Sequence, residues 1–231
     1  NGVILISTKN SRSGKLKVDI NASTSLSEMT THLKMLNTSQ YIDMRKKAFL
    51  NDGIASYPAN AYDINGVWDH TRDTDWQKKL LRNVAQNNTA RISLSGGSEM
   101  TNFLLNIEHN DQTNIFSNNL HYTGTNISSK INHKSKDSRF LINLSNMFSL
   151  LKNNLIVEDL TKKSIVLAPN APQLYNLDQS INWENYTFSN PAAIFNSSYT
   201  NENIQYLNSI NLQYTIAGNL TVKLNGGLNY Q

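Results

Sequence analysis

Along most of this chain apolar and polar side chains alternate in twos, the spacing of a strand with one dry face and one wet face. The pattern is cleanest at Asn88–Asn110, where Ala90, Ile92 and Leu94 share one phase with Arg91, Ser93 and Ser95 opposite. After Gly96-Gly97-Ser98-Glu99, Phe103, Leu105 and Ile107 resume the apolar phase. Alternation on both sides of a Gly-containing break predicts an antiparallel hairpin, with strands over 89–96 and 101–110. Upstream, Leu16, Val18, Ile20 and Ala22 predict a strand over Lys15–Ser25. Downstream, Thr123 to Ile131 forms a weaker strand, and His133–Asp137 a tight polar turn. Phe140, Ile142, Leu144 and Phe148 mark the next strand, with Asn146 out of character. Ile204, Tyr206, Ile210, Leu212, Tyr214 and Ile216 mark another, with Asn208 as its exception. After the Ala217-Gly218-Asn219 turn a last strand carries Leu220, Val222, Leu224, Leu228 and Tyr230. Val3–Thr8 is a continuous apolar run, as in a strand buried on both faces.

The connections alternate between long and tight. The stretch 27–87 is long and holds a predicted helix from Ser39 (read as its cap) through Ala48, and a short one over Asp75–Leu81. The stretch 111–119 is modest and 152–203 is long. In an up-and-down meander this order sends every long excursion to one end. The strands, roughly 9–14 residues each, exceed the usual 5–6 and suit a tilted bilayer crossing. No Lys, Arg, Asp or Glu falls in the apolar phases; Lys17, Asp19, Arg91, Glu108, Lys130, Arg139 and Lys223 all take the opposite phase. Because a basic residue on a lipid-facing wall costs about 2–4 kcal/mol at the midplane, that partition favours a barrel with a wet lumen. The expected class is therefore all-β: an antiparallel up-and-down transmembrane β-barrel fragment of about seven strands, with short helices in long extracellular loops. A soluble or surface-attached β-sandwich that binds glycan or protein shares the alternation and stands as the alternative. Tyr206 and Tyr230 fall where an outer aromatic girdle would lie, Tyr214 at the opposite rim, and Tyr122 is a further candidate.

Composition narrows the chemistry. Only 39% of the 231 residues are hydrophobic, yet Asn, Ser and Thr rather than charges supply the polarity, which fits wet-faced strands better than disorder. The net charge of +4 is scattered, Lys46-Lys47 and Lys162-Lys163 being its densest pairs, too thin for a nucleic-acid footprint. Cysteine is absent, so neither disulfides nor thiolate chemistry enter. Gly96-Gly97 precedes no helix bearing Lys-Ser/Thr and is a turn, not a phosphate cradle. Glu158-Asp159 and Asp73/Asp75 are sequence neighbours in polar loops, read as solvated groups or helix caps rather than a glycosidase pair. The histidines His32, His70, His109, His121 and His133 lack metal-binding helical spacing. No catalytic residue, cofactor or metal is expected. Trp183, Tyr186, Phe188 and Trp68, all in long loops, are the candidate contacts, either stacking on a ligand or packing the loop and meeting a partner.

Several segments also resemble one family. Asn1-Gly2-Val3-Ile4-Leu5-Ile6-Ser7-Thr8-Lys9 is similar to the segment that closes the plug domain of SusC/RagA-type TonB-dependent outer-membrane receptors. Thr74–Gln77, Leu94–Ser98, Leu167–Pro172, Asn182–Asn185 and Asn190–Ala192 follow in that family's order. The resemblance implies that 1–14 is the last plug strand and linker and that 15–231 is the N-terminal part of a barrel of about 22 strands. It implies import of oligosaccharides or peptides, a SusD-like surface lipoprotein as lid, and a TonB-ExbB-ExbD complex as energy source. It also implies that this chain is a piece of a longer protein, lacking the TonB box, most of the plug and most of the barrel.

Overall fold

The computed structural model describes residues 13–81, 84–117, 120–156, 158–218 and 220–231. The strand expected at Val3–Thr8, and with it the plug-closing segment, lies outside the described residues. Seven strands form one sheet: β1 (Gly14–Ser27), β2 (Ala85–Gly97), β3 (Thr101–Thr113), β4 (His121–Lys134), β5 (Phe140–Ile156), β6 (Ser198–Ala217) and β7 (Leu220–Tyr230). Each pairs antiparallel with the next in chain order, so β1 and β7 are open edges. The described residues form this one seven-stranded meander, the order expected of a barrel wall, and not two sheets packed face to face. No helix among them is long and apolar enough to cross a membrane, a statement that does not bear on strands.

The predicted apolar phases meet across every ladder. Ile20, Ile92, Ile107, Ile127, Phe148, Tyr206 and Tyr230 form one row across all seven strands. Ile92, Ile107, Ile127 and Ile131 are left exposed because nothing packs on that face. The two exceptions, Asn146 and Asn208, lie opposite each other in the adjoining row, beside Ser129. The Asn146 amide donates to the Ser129 hydroxyl at 3.2 Å, and the Asn208 amide donates to Asn146 Oδ1. Polar groups on an apolar wall are tolerated when they satisfy one another, and here three strands place theirs in register.

From Phe140 to Leu150 the outward residues of β5 are apolar apart from Asn146. About ten steps of roughly 3.3 Å, tilted by about 35–45°, give a band about 25 Å tall, the height of a barrel's lipid belt. Tyr214 packs edge-on against Phe140 at the tight-turn end, 6.4 Å between ring centroids. Tyr122 pairs with Gln112 and Asn153 in the wet phase, so it does not belong to the girdle.

β5 and β6 run 17 and 20 residues, past the limits 152 and 203 that periodicity sets. Above Leu150 and Ile204 the same ladder continues through Lys152 opposite Glu202 (Nζ–Oε2 3.1 Å), Asn153 opposite Asn201, and Asn154 opposite Thr200. Lys152, Glu202 and Asp111 share the outward phase, but only in the row beyond the apolar band. Here backbone pairing persists but hydrophobic alternation stops.

The tight turns after β2, β4 and β6 lie at one end of the sheet, and the excursions after β1, β3 and β5 at the other. Gly97 (φ +125°) makes the first tight turn possible: a Cβ there would meet Thr101 O at 2.2 Å. The excursions carry α1 (Thr38–Asn51), α2 (Trp76–Leu80) and α3 (Leu160–Val166). α1 is capped by Asn37 rather than by Ser39, because Asn37 and Gln40 form a reciprocal capping box. Asp75 and Asp159 cap α2 and α3, the structural role allowed for those carboxylates.

Candidate functional site

The two long excursions and the shorter one after β3 pack into one cap at the end of the sheet opposite the tight turns. Its core comprises Trp76, Leu80, Leu81, Leu160, Ala171, Leu174, Phe188, Ala192 and Ile194, with Trp68, Ile115 and Phe116 against it. The family-like segments clasp each other. The Trp76 indole N–H donates to Ala168 O at 2.8 Å, and Thr74 N donates to Pro169 O at 2.9 Å. Arg72 donates to Asn170 O at 3.3 Å, and the buried Asn170 amide donates to Asp63 O at 2.9 Å. Thr74–Gln77 and Leu167–Pro172 are thus two halves of one staple. Asn190 likewise ties its segment to Asn182–Asn185, donating to Asn182 O at 2.8 Å and to Leu174 O at 2.6 Å.

α1 is pinned through Asp63, which accepts from Tyr41 Oη at 2.8 Å and Arg45 Nε at 2.7 Å. Burial works against ionisation of Asp63, but the hydrogen bonds from Arg45 and Tyr41 outweigh it and hold the carboxyl below its usual range. Burial, reinforced by the Asp63 hydrogen bond, pushes the Tyr41 hydroxyl up to about 12.

The cap separates the four aromatic candidates into two pairs. Phe188 is 4% exposed and meets Trp68 edge-on at 6.0 Å; Trp68 donates to the Thr187 hydroxyl at 3.0 Å. Phe188 is therefore part of the cap's core, and Trp68 packs beside it. Trp183 is 48% exposed and Tyr186 97% exposed. Between them Glu184, Asn185 and Tyr186 all have positive φ (+44°, +51° and +67°), a left-handed turn without glycine. Each such residue costs about 1–2 kcal/mol, so the turn persists only because its flanks are fixed. Asn182 supplies one anchor, donating to Gln173 O and to the Glu184 carboxylate at 3.0 Å each. Buried Phe188 supplies the other. Trp183 and Tyr186 border a hollow of about 460 Å3 that also takes in Asn176, Asn182, Glu184 and Asn185.

Below the cap, the wet face of the sheet bounds a hollow of about 760 Å3 running from Arg91 on β2 to Ser209 on β6. It is lined mostly by the polar phase, so the sheet curls toward its wet side. Arg91 lies directly opposite Glu108 and donates to it through Nε at 2.7 Å, neutralising both charges within the wall. Toward the tight turns Asn102, Asn132, Asn143, Asn211 and Asn225 form an unbroken row across β3–β7. Sequence reasoning does not find that row, because its members are 11 to 68 positions apart and only strand register aligns them. Of the histidines, His109 bonds the Thr125 hydroxyl (2.9 Å) and His121 bonds Asp111 (3.1 Å), in separate pairs. No group of three or more potential metal ligands occurs among the described residues.

No family model and no curated protein matches this sequence. Solved structures do match in fold. A chain from the structure of the RagAB peptide importer in the "closed-closed" state superposes with a TM-score of 0.69 at 16% identity, over 96% of this chain and 29% of that one. A second structure, of the RagAB peptide transporter, gives 0.68 at 15% identity, over 95% and 28%. This chain spans less than a third of the length of the chains it matches. It has the fold of part of such a chain: a transmembrane β-barrel segment capped at one end by its long loops.

Proposed function

We propose that this chain is the early barrel wall and outer cap of a TonB-dependent, SusC-like receptor that imports oligosaccharides or peptides across a bacterial outer membrane. One observation carries the reading: a charge-free outward belt about 25 Å tall, curled around an amide-rich wet face, with every long excursion at one end. Cargo passes along the wet face, where Asn, Ser and the Arg91–Glu108 pair offer hydrogen bonds without a strong net charge. A SusD-like lipoprotein closes over the cap, as the two-component name RagAB suggests by analogy. The TonB-ExbB-ExbD complex acts through parts outside this chain, and the lumen carries out no covalent chemistry. Seven strands with two open edges leave backbone groups that lipid cannot satisfy, so function belongs to the whole receptor.

Fractionation and uptake test this. The parent protein is expected in the outer membrane, heat-modifiable on SDS gels, with uptake of labelled oligosaccharide or peptide abolished when the proton-motive force is collapsed. A freely soluble parent, or uptake indifferent to the proton-motive force, refutes it.

A further inference from the structure

The left-handed turn at Glu184–Tyr186 delivers Thr187 and Phe188 to the cap, where the Thr187 hydroxyl donates to Glu184 O at 2.7 Å and accepts from Trp68 at 3.0 Å. Phe188 anchors the segment in the core, and Asn182 and Asn190 fix its course. The same turn carries Tyr186 away from the protein, with its ring almost wholly in solvent. Strain maintained by surrounding contacts and directed at an exposed side chain points to a role for that side chain. The hollow beside it, about 460 Å3, falls in the range of small-ligand sites.

Its chemistry is selective. Trp183 and Tyr186 share its lining with Ile181, with Asn176, Asn182 and Asn185, and with Glu184. Asn182 orients that carboxylate by donating to one of its oxygens, which leaves the other oxygen available to a ligand. Ring faces accept the C–H surface of a pyranose, while amides and a carboxylate bond its hydroxyls. The lining includes no Lys or Arg, so a sulfated sugar, a uronate or a peptide carboxylate has no cation to pair with.

We propose that this hollow is an outer subsite for a neutral hexose unit of an oligosaccharide, stacked on Trp183 or Tyr186 and hydrogen-bonded by Glu184 and Asn185, with Asn182 holding the Glu184 carboxylate in place. The inference rests on the importer reading for its outward location, and it favours glycan over peptide as what this site takes.

The test is titration of the full-length receptor in detergent with maltohexaose, cellohexaose and mannohexaose, read by calorimetry. At least one should bind, and Trp183→Ala, Tyr186→Ala or both should weaken it by about two- to ten-fold, the size of one lost ring contact. Tyr186→Phe should keep most of the affinity. Leu177→Ala, at the fully exposed tip of the neighbouring hairpin, should change nothing. Unaltered heat-modifiability shows that each variant is folded. The proposal is overturned if none of the three sugars binds the wild type, or if both alanine variants bind like wild type. It is also overturned if the variants weaken binding of a casein peptide digest and leave sugar binding intact. Because titration does not depend on transport, these results stand apart from failure of the uptake test.

Discussion

The polar ladder on the outward wall offers a sharp test of which face meets lipid. Asn146 sits near the middle of the apolar band on β5, bridging Ser129 on β4 and Asn208 on β6. Replacing Asn146 by Leu removes both links, stranding the Ser129 hydroxyl and leaving the Asn208 amide only its long contact to Tyr206 Oη at 3.5 Å. Replacing Asn208 by Leu strands only Asn146 Oδ1, since the Asn146 amide keeps Ser129. Replacing both leaves Ser129 alone and adds two leucines to an apolar surface. Hydrogen bonds between side chains in membranes couple by about 0.6 kcal/mol on average and at most about 1.7. A stranded polar group costs about 1–3 kcal/mol. Asn146→Leu should therefore destabilise by about 1–2 kcal/mol and Asn208→Leu by about 1. The double variant should be less destabilised than their sum by about 1 kcal/mol. Urea unfolding of the receptor in phosphatidylcholine vesicles, followed by tryptophan fluorescence, measures all four corners of the cycle. Additivity within about 0.3 kcal/mol refutes the ladder. A double variant that is folded but aggregates in vesicles refutes the lipid-facing assignment.

Four further outcomes follow from the same geometry. Ile127→Lys, on the outward row, should cost about 2–4 kcal/mol in vesicles, while Asn126→Lys, on the wet phase beside it, should cost little; equal costs would contradict the face assignment. Gly97→Ala drives a Cβ into Thr101 O and should abolish the heat-modifiable species or lower its transition sharply; an unchanged gel transition speaks against that turn. Phe188→Ala should loosen the cap by about 3–5 kcal/mol and open 157–197 to limited proteolysis, whereas Tyr186→Ala should not. The Asp63 carboxyl is held low, so its contribution is full above about pH 4 and fades as pH falls through its lower folded value. Tyr41 is raised to about 12, so its contribution is full below about pH 10 and fades as pH rises toward 12. Protease resistance of the cap should plateau between those limits, and Asp63→Asn should flatten the acidic branch.

How much of this molecule the sequence reveals depends on whether the responsible force is periodic. Strand phases are legible because a wall with lipid on one side and water on the other writes its environment into every second residue, as at Ala90–Leu94 and Phe103–Ile107. The ladder above Leu150 is not, since Lys152–Asn154 carry no alternation to read. Asn146 and Asn208 appear as flaws along their own strands and become a matched pair only across them, because register is a property of two segments at once. α3 escapes notice for a related reason: seven residues with a single buried apolar side chain, Leu160, give too short a period. The aromatic loop residues show the limit most directly. Tyr186 and Phe188 stand two apart in one segment, yet one is solvated and the other is core. What separates them is the left-handed path through Glu184 and Asn185. Of those residues only Asn185 is a type that tolerates such a path, and no local pattern announces it. Backbone conformation imposed by distant anchors, here Asn182 on Gln173 and Asn190 on Leu174, decides which aromatic ring meets the outside.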